Sequence, residues 1–188
     1  MLAVWIPLAA SLIGAIVGAW AVFHNSRKEE ENRRNQAARA LLVEMYANAL
    51  RLRGAAQALQ GNNSSVTPDY LQGRKYDEVY RVHFAAGTAG ADWEDIEKIV
   101  QAYSYAETVI DGPLSIDYWK RNPAEFPVKG TTAEGFVKTY AIGAGIFCDA
   151  IRRLEKRVSM NEAFNEAVGK VESDISHVLD MAGVPKFG

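Results

Sequence analysis

The feature that most constrains this chain is its beginning, where residues 2–23 carry no charged side chain. A helix of that length reaches about 33 Å, which is enough to cross a hydrocarbon core of about 30 Å. Trp5 and Trp20 lie near its two ends, where indole side chains favour the membrane interface. Pro7 falls in the first turns, where a missing backbone donor is tolerated. The sequence therefore predicts a transmembrane anchor over residues 1–23, in contact with the lipid bilayer.

Basic side chains stand only on the C-terminal side of this stretch, beginning with Arg27 and Lys28. Because cytoplasmic flanks of membrane helices are rich in Lys and Arg, we expect an external N-terminus and a cytosolic C-terminal body, at the inner membrane if the cell is bacterial. Trp5, Trp20, Arg27 and Lys28 are the predicted interface residues. The alternative is a cleaved signal peptide, since Ala19-Trp20-Ala21 resembles a cleavage site. That alternative lacks a basic N-terminal segment, and its apolar stretch is longer than usual.

Small residues recur every four positions within the predicted span, at Ala10, Gly14 and Gly18. Such a ridge lets two membrane helices approach closely and gain van der Waals contact. It predicts a homodimer through the membrane helix, although glycine and alanine are also common in membrane helices without any such role.

A solvated helical neck is predicted over residues 24–36, where Glu29–Arg33 and Glu30–Arg34 stand four residues apart in the favourable order. An amphipathic stripe then recurs at steps of three and four and ends near Gly61. Its members are Ala38, Leu41, Met45, Ala49, Leu52, Ala56 and Leu59.

Four further helices are predicted in the body, residues 37–188, from capping signals and apolar stripes. Their predicted starts are Thr67-Pro68-Asp69, Asp92, Thr131-Thr132-Ala133-Glu134 and Ser159-Met160-Asn161-Glu162. Their stripes are Leu71, Tyr76, Val79, Tyr80 and Val82; Trp93, Ile96, Val100, Tyr103 and Ile110; Val137, Tyr140, Ala144, Phe147, Ile151, Leu154 and Val158; and Phe164, Ala167, Val171, Ile175, Val178 and Ala182. No stretch alternates with the two-residue period of a strand. The expected fold is all-α, with an N-terminal single transmembrane helix followed by a four- to five-helix antiparallel bundle.

Charge and cysteine content exclude several functions. The net charge is −2, and no basic cluster follows the neck, so the chain is not expected to bind nucleic acid. Cys148 is the only cysteine and cannot form an intrachain disulfide. Its apolar neighbours indicate a buried, inert thiol.

No catalytic, metal-binding or cofactor-binding residues are predicted. The three histidines are isolated, and Glu78–His83 and Glu172–His177 are five residues apart, which places each pair on different helix faces. The acids from Asp92 to Glu97 crowd a helix start, where they complement the helix dipole. Gly143-Ala144-Gly145 lies within a helical stripe, where close helix packing explains it better than phosphate binding.

Residues 112–130 form the one long irregular stretch, with Pro113, Pro123 and Pro127. Aromatic side chains beside arginine are typical of binding hot spots. We therefore consider a partner-binding loop formed by Tyr118, Trp119, Arg121 and Phe126. Its alternative is a loop that folds back to cover the end of the bundle.

Three functional hypotheses follow. The first is a membrane-anchored, non-enzymatic interaction or regulatory module that faces the cytosol and binds an unidentified protein. The second is an exported or periplasm-facing helical sensor or ligand-binding domain, which requires the opposite topology. The third is an enzyme whose site is assembled from scattered residues.

Overall fold

The computed structural model describes residues 2–61, 76–111 and 133–181, with side chains described for residues 18–57, 60, 76–110 and 135–180. These residues form five α-helices: α1 (Leu2–Gly61), α2 (Glu78–Gly87), α3 (Trp93–Ala106), α4 (Ala133–Glu155) and α5 (Glu162–Met181). A π-helical turn, Glu107–Asp111, continues α3. No strand occurs among the described residues. The prediction of an all-α helical bundle is confirmed.

Helix α1 is a single helix of 60 residues, about 90 Å long at 1.5 Å per residue. It reaches Gly61, and the residues that follow the predicted end of the first stripe lie outside the described part of the chain. Residues 18–34 are exposed, and burial begins at Ala37. The neck and the first core helix are therefore parts of one uninterrupted helix.

Successive helices run in opposite directions. Along α1, Leu41 lies against Gly87 near the end of α2, whereas Glu44 binds the backbone at Val79 near its start. Helix α5 runs in the same direction as α1, because Tyr46 contacts Phe164 and Arg53 pairs with Asp174. Helix α4 packs against α1, α3 and α5 and lies at the centre of the bundle.

The core combines a few large side chains with many alanines. Tyr140, Phe147 and Leu154 of α4 are at most 1 % exposed. Every member of the stripe predicted for this helix is buried, from Val137 to Val158, although Val158 lies just beyond the end of α4. The prediction for α4 is confirmed in its described part, while Thr131 and Thr132 lie outside the described residues.

The predicted start of the second helix is partly wrong. Tyr76 and Asp77 are not helical, and α2 begins at Glu78. Thr67-Pro68-Asp69 lies outside the described residues. Val82, which was expected in the core, is 69 % exposed, because α2 packs against the core through Tyr80, Phe84 and Gly87 instead.

The stripe predicted for α3 is also partly wrong. Trp93 is 77 % exposed and Val100 is 38 % exposed, whereas Ile99, Ala102 and Ala106 are fully buried. The buried face is therefore shifted and contains small residues, which a search for large apolar side chains overlooks.

Helix α5 begins with a different cap from the predicted one. Phe164 N donates a 2.9 Å hydrogen bond to Asn161 Oδ1, so Asn161, and not Ser159, caps this helix. Val171, Ile175 and Val178 are buried as predicted, while Ala182 lies outside the described residues.

Gly143 is required by close packing between α4 and its neighbours. A Cβ at this position would lie 2.9 Å from Tyr105 Cε1 and 3.1 Å from Leu52 Cδ1. A larger residue would therefore force the Tyr105 ring and the Leu52 side chain to move, which agrees with the packing interpretation of this glycine.

Among the described residues, no helix has a stretch long and apolar enough to cross a membrane. The backbone of the predicted span, Leu2–Phe23, lies in α1, but no side chain is described for residues 1–17.

Candidate functional site

The first candidate site is the part of α1 that precedes the bundle. Trp20, Val22 and Phe23 are 65 %, 67 % and 59 % exposed. A Cβ built on Gly18 would meet no atom within 4 Å. This part of α1 therefore exposes large apolar side chains and does not pack against the core. Trp5, Ala10 and Gly14 lie in α1, but their side chains are outside the described residues.

Cationic and aromatic side chains alternate where the apolar stretch ends. The rings of Trp20 and His24 stack with centroids 5.3 Å apart, and the Arg27 guanidinium lies 4.9 Å from the Phe23 ring centroid. Lys28 is exposed. This arrangement places positive charge directly beside exposed apolar surface.

One of the two predicted neck pairs forms. Arg34 and Glu30 are 3.1 Å apart. Glu29 and Arg33 are exposed and make no ion pair with each other within the described part of the chain.

The second candidate site is a polar patch of α1 that the sequence does not reveal. The carboxylate of Glu44 is only 7 % exposed. It accepts hydrogen bonds from Val79 N at 2.7 Å and Tyr80 N at 3.0 Å. These are free amides of the first turn of α2, so Glu44 caps that helix from another element. A third hydrogen bond, at 2.6 Å, comes from the Tyr103 hydroxyl.

Asn48 and Arg51 extend this patch by one and two turns. The Asn48 side chain donates to Tyr76 O at 2.7 Å and accepts from Tyr76 N at 3.0 Å. The Arg51 guanidinium lies 5.2 Å from the Tyr76 ring centroid. Together these side chains fix the backbone that leads into α2.

The chemistry of this patch is that of a cap, because each group already has a partner. Burial, with the nearby Glu44 as a further cause, raises the pKa of the Tyr103 hydroxyl, so it stays a neutral donor. Both Glu44 oxygens accept hydrogen bonds. Neither group is available as a proton acceptor for a substrate.

A groove of about 670 Å³ opens beside this patch, between α1 and the start of α2. Ala40, Val43 and Ala47 form its floor on α1, and Tyr76 and Val79 form the facing wall. Val43 is 53 % exposed. The groove is thus mainly apolar, and its charged lining residues are Arg39, Glu44, Asp77 and Glu78.

A second groove, of about 500 Å³, lies between α3, α4 and α5. Arg152 crosses it and binds Glu172 through two hydrogen bonds, at 2.9 Å and 2.8 Å. Cys148 lines the groove but is only 3 % exposed. Burial, with the Glu172 charge as a smaller cause, raises the pKa of its thiol to about 12. The thiol is therefore protonated and unreactive near neutral pH, as the sequence predicts.

The acids at the start of α3 have a structural partner. Arg153 of α4 lies 2.9 Å from Glu94 and 3.5 Å from Asp95. No set of three potential metal ligands occurs among the residues that the structure describes. His24, His83 and His177 are all exposed.

The predicted partner-binding loop, Tyr118, Trp119, Arg121 and Phe126, lies outside the described residues. Comparison with protein-family models, curated proteins and solved structures finds no match to this chain.

Proposed function

We propose that this chain is a membrane-anchored, non-enzymatic interaction module. In this proposal Leu2–Phe23 spans the bilayer, the N-terminus lies outside, and the helical bundle faces the cytosol. The observation that carries it is the exposure of Trp20, Val22 and Phe23 on a helix that extends beyond the core. Transfer of such side chains from water into a bilayer lowers the free energy.

The neck supports the same orientation. Arg27 lies on Phe23, and Lys28 follows it. Cations at this level suit the cytoplasmic surface, where anionic lipids attract each of them by about 1 kcal/mol.

A membrane extraction experiment tests the anchor. Leu12→Arg together with Ile16→Arg places two charges in the proposed span, each disfavoured by about 2.5–3.5 kcal/mol at a bilayer centre. The parent chain should stay in membranes washed with alkaline carbonate, and the double variant should not. Asn32→Arg, in the exposed neck, is the matched control and should behave as the parent. A parent chain that washes off completely would refute the anchor.

Labelling with a membrane-impermeant maleimide tests the orientation. Because Cys148 is buried, the probe cysteine belongs at exposed Glu166, in a Cys148→Ser background. It should react only after the cells are lysed, whereas a cysteine added ahead of Leu2 should react in intact cells. The reverse pattern would support the exported sensor instead.

Interaction is the second part of the proposal. Within the membrane, Ala10, Gly14 and Gly18 would form the contact of a homodimer. Tyr118, Trp119, Arg121 and Phe126 remain a candidate surface for another protein. Gly14→Ile should abolish association of residues 1–35 in an in-membrane two-hybrid assay, because its side chain holds the backbones apart. Association equal to that of the parent would exclude the ridge.

A further inference from the structure

We propose that a second copy of this chain docks along the exposed face of α1 that runs from Gly18 through the neck to Val43 and Ala47. The contact would thus continue for about 44 Å beyond Gly18, at 1.5 Å per residue. It rests on the proposed membrane anchor, because the anchor is what makes two copies parallel.

The face is defined by a repeat of uncharged residues. Pairs four residues apart recur every eleven residues: Ala21 with Asn25, Asn32 with Gln36, and Val43 with Ala47. Eleven residues turn an α-helix by about 1100°, roughly 20° more than three full turns. The pairs therefore lie above one another, and an eleven-residue period suits two helices that cross with a slight right-handed twist.

This face is open in the described structure. Ala21, Asn25, Asn32 and Gln36 are exposed, and Val43 is 53 % exposed beside the apolar groove. The core residues Leu41, Met45 and Leu52 are fully buried on the opposite side of α1. Two copies that meet at Val43 would therefore carry their cores on the outer sides of the pair.

The side chains on the face suit an identical partner. An amide group carries both a donor and an acceptor, so Asn25, Asn32 and Gln36 can each bind the same residue across a two-fold axis. Val43 and Ala47 would exclude water where the two copies meet above the neck.

The charges are complementary in a parallel pair. On a regular helix, Lys28 lies about 60° to one side of the line through Val43, and Glu29 lies about 40° to the other side. Across a two-fold axis these flanks face each other, so Glu29 would meet the partner's Lys28, twice per dimer. Of the other ionised side chains near them, Arg27, Glu30, Glu31 and Arg34 fall on the far side of the helix. Arg33 lies about 80° from the line through Val43, on the same side as Glu29 but farther from the contact.

Arg39 and Glu78 would form a similar pair of opposite charges between two copies at the groove. They line it on opposite sides of Val43, and both are exposed. The partner's Arg39 would then lie beside Glu78. A second copy matches the charge on both walls as well as the apolar floor.

Cysteine crosslinking of the full chain in membranes tests the face. In a Cys148→Ser background, Asn25→Cys and Val43→Cys are the test positions. Glu30→Cys and Arg34→Cys, on the opposite side, are the matched controls. A short bis-maleimide should give several-fold more covalent dimer at both test positions than at either control. A crosslink at Asn25→Cys but not at Val43→Cys would confine the contact to the membrane edge and overturn the proposal. Equal yields at all four positions would also overturn it.

Charge exchange provides a second readout. Lys28→Glu and Glu29→Lys should each lower the Val43→Cys crosslink several-fold, and the double variant should restore it. Glu30→Lys with Arg34→Glu, a pair that faces away, should leave it unchanged. Loss of the chain from the membrane fraction would instead indicate that the anchor is wrong, whereas membrane-bound chains without these effects would refute the dimer alone.

Discussion

The Tyr103 hydroxyl donates a 2.6 Å hydrogen bond to the Glu44 carboxylate, and so joins α3 to α1 across 59 residues of sequence. The same carboxylate accepts hydrogen bonds from the first turn of α2. Three helices therefore meet at one buried acid. This acid is a structural junction, because removing it leaves two backbone amides and a phenol without an acceptor.

Glu44→Ala should lower the free energy of unfolding by about 2–4 kcal/mol, since buried donors would lose their partners. Glu44→Gln keeps one acceptor oxygen and should lower the free energy of unfolding by less than Glu44→Ala. Thermal unfolding followed by circular dichroism measures both. Hydrogen exchange at Val79 and Tyr80 should accelerate more than exchange in α4. Parental stability in the alanine variant would show that the junction contributes little.

Phe147→Ala should lower the free energy of unfolding by about 3–5 kcal/mol, the usual effect of truncating a fully buried aromatic side chain. Phe147 is 0 % exposed. Val100→Ala, on the exposed face of α3, is the control and should change stability by no more than about 0.5 kcal/mol. Denaturant titration of the full chain gives both values. Equal effects of the two variants would mean that the core is not where we place it.

Gly143→Ala should destabilise the bundle by about 1–3 kcal/mol, because the added methyl group overlaps Tyr105 and Leu52. Gly169→Ala is the matched control in α5. A Cβ there lies 3.7 Å from its nearest neighbour, the flexible end of Arg152. The control should stabilise the helix by about 0.5–1 kcal/mol. Opposite signs for these two substitutions are the diagnostic result.

Stability should fall at alkaline pH. The pKa of Cys148 is raised from 9.0 to about 12 by burial, so the folded state keeps a proton that the unfolded chain loses. The stabilisation is complete below pH 9 and is lost as the pH rises towards 12, by at most about 1.4 kcal/mol per pH unit. Cys148→Ala should flatten this slope between pH 9 and pH 11. The raised pKa of Tyr103 acts in the same direction above pH 10 in both proteins. Parallel slopes would contradict the role of the thiol.

Helix α4 could be predicted in nearly all its described length because its large apolar residues and its buried face coincide. The start of α3 after Asp92 could also be predicted, but its buried face could not, since alanines supply much of that face and Trp93, at its first position, reaches into solvent. The periodicity of large side chains identifies the buried face of a helix only where the neighbouring helices leave room for such side chains.

The junction at Glu44 also could not be predicted from the sequence pattern. Its partners lie 35, 36 and 59 residues away, and an acid in a helical stripe ordinarily indicates a solvated face. Local capping signals predict a helix start at Thr67-Pro68-Asp69. Helix α2 instead begins at Glu78, where the Glu44 carboxylate of α1 binds its first amides. Long-range polar contacts of this kind become visible only when the helices are packed.

If Leu2–Phe23 spans the bilayer as proposed, the uninterrupted α1 would couple the span rigidly to the bundle. From Phe23 to Gly61 the helix is about 57 Å long, and a tilt of about 20° in the bilayer would move its far end sideways by about 20 Å. A rotation of the span about its axis would turn the bundle by the same angle. One residue inserted in the neck would turn it by about 100°, whereas eleven inserted residues would nearly restore its direction. Torque and tilt from the membrane would therefore reach the bundle without a hinge.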